Sequence, residues 1–301
     1  HIVSRRQRQM CIRDSHIIPF QLGGNKVRGS IVRLGSAVSE IIKRHNYPIN
    51  VEGLLADTLT ITACLGSRMK HEGIFTIQAK GSGGVHTLFS DITNNGFLRG
   101  YVGLSADFSN QESDLISLMG SGHITFMLDQ GKYSKRYQGI VALEDKSISK
   151  SAELYFNNSE QLDTRFVVFN HYSPVSASKE KLFPSGLIMI QKMPDKVVMD
   201  EEQNSEVWEN AISFLSTLKK EECLSVSLTS ENILFRLFNE VGVTVYDEIV
   251  IQDKCRCSKE KVEFAIKTLN KDELNEISDQ RGNIKVICEF CKTERFFYHR
   301  K

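Results

Sequence analysis

Four cysteines near the C-terminal end, Cys255-Arg-Cys257 and Cys288-Glu-Phe-Cys291, constrain this chain more than any other feature. A C-x-C pair and a C-x-x-C pair each let two sulfurs chelate one ion, and the thirty residues between them close into a loop when both pairs share it. Zinc prefers four tetrahedral ligands with Zn–S near ~2.3 Å, and four thiolates fill that shell. One zinc per chain is therefore expected on Cys255, Cys257, Cys288 and Cys291. His299 is a spare donor left without a place in the shell. The loop has helical spacing of its own. Ser258 reads as a cap before Val262, Ala265, Ile266 and Leu269, and Asn270 or Asp272 caps a second short helix with Leu274 and Ile277. Ile284 and Val286 read as a strand leading into Cys288. A module of this size has too small a core to stand easily alone. Bound metal would then supply folding energy, about 10–16 kcal/mol in small zinc peptides.

The same four thiols admit two readings, a permanent structural zinc site or a redox switch. A C-x-x-C pair can close into a disulfide once its metal leaves, and a C-x-C pair can do so with strain. Thiolates held by zinc beside Lys254, Arg256 and Lys292 stay nucleophilic toward oxidants. Spacing alone leaves both readings open. The other cysteines look inert. Cys64 sits in an apolar helical stretch and reads as core filler, and Cys223, beside Glu221 and Glu222, reads as incidental. A secreted disulfide framework is not expected, because the N-terminus has no apolar signal-peptide region.

The N-terminal string Arg5-Arg6-Gln7-Arg8-Gln9-Met10-Cys11-Ile12-Arg13-Asp14-Ser15 reads as one translated frame of a transposon-type sequencing-library adapter. Residues 1–15 are set aside as non-native on that ground. The formal charge of +1 then becomes −2, with 34 basic and 36 acidic side chains remaining. Nothing in this balance calls for nucleic acid as partner. No apolar run approaches the ~18 residues of a membrane span, so no membrane is expected either.

From residue 16 to 195 the patterning predicts an α+β core. Ile31, Leu34, Val38, Ile41 and Ile42 share one helical face over 30–45, ended by Tyr47-Pro48, and a second helix is expected over 51–69. Strand periodicity follows at 75–79, 85–92 and 97–102, with Asn95-Gly96 as a hairpin signal. A further strand pair is expected around Asp129-Gln130-Gly131, then a helix near 147–160 and strands near 165–172 and 186–192. Helices and antiparallel hairpins in separate runs argue for α+β with antiparallel sheets. Gly81-Ser-Gly83-Gly84 lies between strands, so it reads as a turn and not as a phosphate loop. No nucleophile elbow or paired-carboxylate motif is visible, so no enzyme is expected.

Composition shifts after Met193-Pro194. Residues 200–222 carry seven acids and two lysines. Trp208, Ala211, Ile212, Leu215 and Leu218 recur at helical spacing, and a second helix near 231–240, capped by Ser230, carries Ile233, Leu234, Leu237 and Phe238. Residues 196–248 are expected to form a helical linker, and 249–301 a small module holding the four paired cysteines. Trp208, Leu215, Leu234, Leu237 and Phe238 lie on apolar faces that can be covered or uncovered.

Several motifs in fixed order carry a resemblance. They are Val27-Arg28-Gly29, Arg44-His45-x-Tyr47-Pro48, Arg99-Gly100-Tyr101-Val102-Gly103, Arg136-Tyr137-Gln138-Gly139-Ile140-Val141, Tyr155-Phe156-x-x-Ser159-Glu160-Gln161, and Val243-Thr244-Val245-Tyr246-Asp247 before the cysteines. Over 16–301 the sequence resembles the redox-regulated thirty-three-kilodalton heat-shock chaperone family. The resemblance implies an ATP-independent holdase of the bacterial cytoplasm, inactive when reduced and zinc-bound. It implies that oxidation forms Cys255–Cys257 and Cys288–Cys291 disulfides, releases zinc, unfolds the module and loosens the linker. It further implies a homodimer in the oxidised state and unfolding proteins as clients, for which Trp208, Leu215, Leu234, Leu237 and Phe238 are the candidate surface once uncovered. No chemistry is assigned to the Tyr-Gln-Gly and Ser-Glu-Gln segments. The rival reading is a zinc-ribbon adaptor for RNA or a protein. Residues 251–301 carry a net charge of +3 before metal and thiolates, which is weak for RNA. A thiol oxidoreductase lacks its βαβ context.

Overall fold

The computed structural model describes residues 15–69, 71–109, 112–131, 136–170, 173–174, 181–182, 184–194, 201–279 and 281–298, the side chains of 173, 174, 181, 182 and 201–204 excepted. Residues 1–14 of the adapter-like segment and the first residues of the expected linker lie outside these. The chain divides into two compact units between Asp253 and Lys254.

The first unit is built on one twisted sheet. Its strands are β1 (Ser15–Leu22), β2 (Val27–Leu34), β3 (Ile74–Gly81), β4 (Val85–Thr93), β5 (Phe97–Leu104), β6 (Gly122–Asp129), β7 (Tyr137–Ala142), β8 (Thr164–Asn170), β11 (Ser185–Lys192), β12 (Val243–Val245) and β13 (Ile249–Asp253). The order is β7-β6-β3-β4-β5-β13-β1-β2-β11-β8, with β12 also on β1. A separate two-residue ladder joins β9 (Ser173–Pro174) and β10 (Lys181–Leu182). The helices are α1 (Ser36–Lys43), α2 (Ile49–Gly66), α3 (Leu115–Met119), α4 (Ile148–Tyr155), α5 (Glu201–Ser216), α6 (Lys220–Cys223) and α7 (Ser230–Phe238). Among the described residues no helix is long and apolar enough to cross a membrane.

Side-chain alternation splits the central strands between two cores. Leu187 and Met189 face a core filled by α2, while Ile188 and Ile190 face a second one. β2 is buried on both faces, from Gly29 to Leu34. This explains the main departure from the sequence expectation over 30–45. Two-sided burial removes the alternation that marks a strand, and its apolar residues then match helical spacing by accident. The segment is β2, then Gly35, then α1. Two further corrections are local. Thr229, and not Ser230, caps α7 by accepting from the Asn232 amide, which leaves the Ser230 hydroxyl to bond His16 Nε2 at 2.9 Å. The expected helix over 147–160 is α4 followed by a π-turn over Phe156–Glu160.

Ser15, counted with the segment set aside, is the first residue of β1. Its buried hydroxyl accepts from the Gly35 and Ala37 amides at 3.2 and 3.0 Å. β13 links the two halves of the sheet, antiparallel to β1 and parallel to β5. Gly96 makes this closeness possible. It sits at φ +75°, and a Cβ there would lie 2.3 Å from the Val250 carbonyl oxygen.

The acidic helical segment forms the second core. Trp208, Ala211, Leu215, Leu218, Ile233, Leu234 and Phe238 are buried against Ile18, Phe20, Ile31, Ile188 and Ile190 of the sheet. The Phe238 ring stacks on Phe20 at 5.7 Å between centroids. Two polar contacts pin the layer. The buried Arg33 of β2 donates from Nη1 to the Leu228 carbonyl at 2.6 Å and from Nη2 to the Ser225 carbonyl, and His16 meets Ser230. Arg33 therefore holds the turn between α6 and α7.

The second unit contains α8 (Lys259–Lys267), α9 (Lys271–Ile277), β14 (Asn283–Ile287) and β15 (Glu294–Tyr298), the two strands paired antiparallel. Ser258 caps α8, and Asn270, not Asp272, caps α9 with Glu273 completing the box. Neither helix buries a residue, and Ile284 is the buried apolar side chain among the described residues of this unit.

Candidate metal centre

Two short turns bring the four thiols together. The first follows β13, where the Cys257 amide lies 3.5 Å from Cys255 Sγ. The second is the turn between β14 and β15. There the Cys288 amide donates to the Thr293 carbonyl at 3.1 Å and the Lys292 amide to the Cys288 carbonyl at 2.8 Å, with Lys292 at φ +53°. The amides of Phe290 and Cys291 also point at the Cys288 sulfur.

All four Sγ atoms lie within 4.8 Å of one another, each half-buried. The Cys255–Cys288 sulfurs are 3.8 Å apart and the Cys257–Cys291 sulfurs 3.4 Å. A tetrahedron with four Zn–S bonds of ~2.3 Å has edges of about 3.8 Å, so the cluster is of the size such an ion needs. Two side chains that spacing did not suggest complete the surroundings. The Thr293 hydroxyl lies 3.1 Å from Cys291 Sγ, and Arg295 Nη2 donates to Cys257 Sγ at 3.3 Å. Their positions depend on the course of β15, which has no signature in the sequence.

These neighbours spread the thiol acidities. Burial and the shared proton with Cys291 push Cys257 up to about 12, against the pull of Arg295. Burial also raises Cys291, but hydrogen bonds from Thr293 and from the Cys257 and Cys288 thiols outweigh it and bring it down to about 6. Cys291 is therefore the more acidic of these two thiols. A thiol must give up its proton to ligate a divalent ion.

The other candidate residues lie in the first unit. Trp208, Leu215, Leu234 and Phe238 are buried in the second core, and Leu237 is partly buried at its margin. Cys64 is fully buried with Met189 Sδ at 3.9 Å, and burial pushes its thiol up to about 12. Cys223 is likewise buried, with its thiol pushed up to about 12. Neither can act as a thiolate near neutral pH. Cys64→Ser and Cys223→Ser proteins are therefore expected to keep full metal content and full oxidant response. Cys64→Ser loses about 1–3 kcal/mol if its hydroxyl finds no acceptor. Metal analysis and chemical denaturation check this, and loss of oxidant response in either variant with metal retained contradicts it. His299 lies outside the described residues.

Comparison with known proteins gives one consistent result. The Hsp33 protein family matches residues 15–298. The 33 kDa chaperonin of Caulobacter vibrioides is 32% identical over 288 residues, covering 92% of this chain and 93% of that protein. The 33 kDa chaperonin of Escherichia coli is 30% identical over 271 residues, covering 90% and 88%. The crystal structure of the 33 kDa chaperonin of Thermotoga maritima shares the fold, with a TM-score of 0.78 at 24% identity over 94% of each chain. With a two-core α+β unit and a four-thiol module in one chain, and a match across nearly all of it, this protein belongs to the Hsp33 family.

Proposed function

We propose that this chain is a redox-regulated, ATP-independent chaperone of the holdase type, working in the bacterial cytoplasm on unfolding proteins. The observation that carries the reading is a four-thiol cluster of tetrahedral size in a unit whose described residues bury a single apolar side chain, Ile284. Such a unit cannot be stable by its core. Bound zinc supplies the missing cross-link and holds the sulfurs as thiolates. Its ligands would be Cys255, Cys257, Cys288 and Cys291.

The switch then follows from the chain's own chemistry. Hydrogen peroxide takes two electrons from a pair of thiolates, whose sulfurs join in one disulfide, and with two protons from solvent it is reduced to two waters. Each such step removes two of the four thiolates. The ligand set is lost and the second unit unfolds. The pairing that the family resemblance implies is Cys255 with Cys257 and Cys288 with Cys291, and the short loops within each pair favour it once the unit has loosened. Those two disulfides are the proposed oxidised state.

The link to client binding runs through residues 196–248, proposed as a gating linker. β13 ends two residues before Cys255 and pairs with the start of β1, while β12, whose Val243 packs against the second core, pairs with the end of the same strand. Loosening this end frees a layer that a few side chains and the Arg33 contacts hold on the sheet. Opening exposes both the helix faces around Trp208 and Phe238 and the sheet face around Phe20 and Ile188. Apolar surface of that extent binds unfolding proteins and also pairs with a second copy, so the oxidised form is proposed to dimerise.

Suppression of client aggregation by reduced and by peroxide-treated protein tests the reading. Strong suppression after peroxide, little before, and no effect of ATP is the expected result. Equal activity in both states favours a permanently structural zinc site.

A further inference from the structure

Two arginines of the first unit converge on one uncharged atom. Arg28 of β2 donates to the Gln191 side-chain oxygen from Nε at 2.9 Å and from Nη2 at 2.5 Å, and Arg68, just beyond α2, donates to it from Nη2 at 2.9 Å. Gln191 is fully buried on β11, and its amide nitrogen donates to Thr164 Oγ1 at 2.7 Å. The Thr164 hydroxyl spends its own proton on the Leu162 carbonyl at 2.9 Å, so it must accept from Gln191. The amide oxygen is thereby fixed toward the two guanidiniums. Among the described residues no carboxylate lies within ion-pair distance of Arg28 or Arg68. An amide oxygen carries only partial charge, so neither guanidinium is neutralised by the atom it bonds. Burial, together with the nearby Arg28 charge, pushes the Arg68 guanidinium down to about 10.

Both arginines line a cavity of about 290 Å³. Its apolar walls include Phe75, Phe126, Leu128 and Phe156. Tyr137, half exposed, places its ring at the opening. Glu160 also lines the cavity, but its carboxylate is occupied by two hydroxyls, that of Tyr137 and that of Tyr155 at 2.6 Å. The lining thus carries two positive formal charges and one negative. Three of the lining residues, Arg28, Tyr137 and Glu160, come from Val27-Arg28-Gly29, Tyr137-Gln138-Gly139 and Ser159-Glu160-Gln161, segments for which the redox switch has no use.

We propose that this cavity binds a small amphipathic anion, its carboxylate seated on Arg28 and Arg68 and its ring-sized apolar body on Phe75, Phe126 and Phe156. Guanidinium groups are suited to this, since their fork of donors matches a carboxylate and five N–H groups leave donors to spare after Gln191 is served. The volume is at the small end for ligand cavities, which limits the body to about one ring and a short tail. This site is independent of the thiol cluster and of the proposed switch.

The test uses 3-phenylpropionate and its neutral amide, titrated calorimetrically into the reduced full-length protein. The acid is expected to bind once per chain and to raise Tm, and the amide to bind at least about tenfold more weakly. Arg68→Gln is expected to weaken the acid by at least about tenfold. Gln191→Glu hands both arginines an internal carboxylate. The Thr164 hydroxyl then turns its proton from the Leu162 carbonyl to the new carboxylate, and the two ion pairs offset that lost bond. The variant is expected to fold and to lose the acid, so it decides the matter even if Arg68→Gln fails to fold. Equal binding of acid and amide, undiminished binding to Gln191→Glu, or no binding of the acid in the millimolar range would each overturn the proposal.

Discussion

Reduced, zinc-loaded Phe238→Ala protein is expected to suppress client aggregation without any oxidant. Phe238 is fully buried and stacks on Phe20, at the point where α7 meets the sheet. Truncating a buried Phe to Ala costs about 3–5 kcal/mol. Most of that loss falls on the α5–α7 layer, which opens more easily than the strands beneath it. At about 1.4 kcal/mol per factor of ten, the open population rises by at least about a hundredfold. Trp208 is the single tryptophan and is buried in the same layer, so a red shift of its emission reports the opening directly. Leu237→Glu acts on the same helix but at a partly buried position, and its effect is expected to be smaller. Red-shifted emission in Phe238→Ala with no gain of activity would place the client surface elsewhere.

Cys288→Ser is expected to lose the metal and to be active while reduced. Cys288 supplies one of four sulfurs, receives the amides of Phe290 and Cys291, and anchors the turn through Thr293 and Lys292. Metal binding at such sites is folding free energy of about 10–16 kcal/mol, and the unit has almost no core to replace it. Removing one thiolate should therefore unfold the second unit outright and open the layer, with a larger effect than Phe238→Ala. Zinc content by metal analysis and aggregation suppression in reductant check both halves. Undiminished zinc affinity in this variant would rule out the four-thiolate site.

The meeting of the four sulfurs was legible because short chelating spacings fix each pair locally and only one loop remains to close. What surrounds them was not, because Thr293 and Arg295 reach the cluster through the pairing of β14 with β15, which no local pattern encodes. The same division holds in the first unit. α2, β3 to β7 and the amphipathic helices carry their period in the chain. β2 loses its period to burial on both faces and matches helical spacing instead. β12 and β13 are too short to show one, and β13 joins β5 in parallel across about half of the chain. Helical spacing identifies the apolar faces of α5 and α7, but their cover, the Phe20 and Ile188 face of the sheet, becomes visible only in three dimensions. Arg28, Tyr137 and Glu160 lie in motifs plain in the sequence, yet their common cavity depends on strands far apart along it.

Hydrogen exchange on reduced and peroxide-treated protein, with zinc release followed in parallel, tests the central claim most directly. The account predicts that protection is lost together in 254–298 and 205–238 as zinc leaves, while β2, β11 and α2 stay protected and aggregation suppression appears. Active, zinc-free protein in which 205–238 remains as protected as in the reduced state would contradict it.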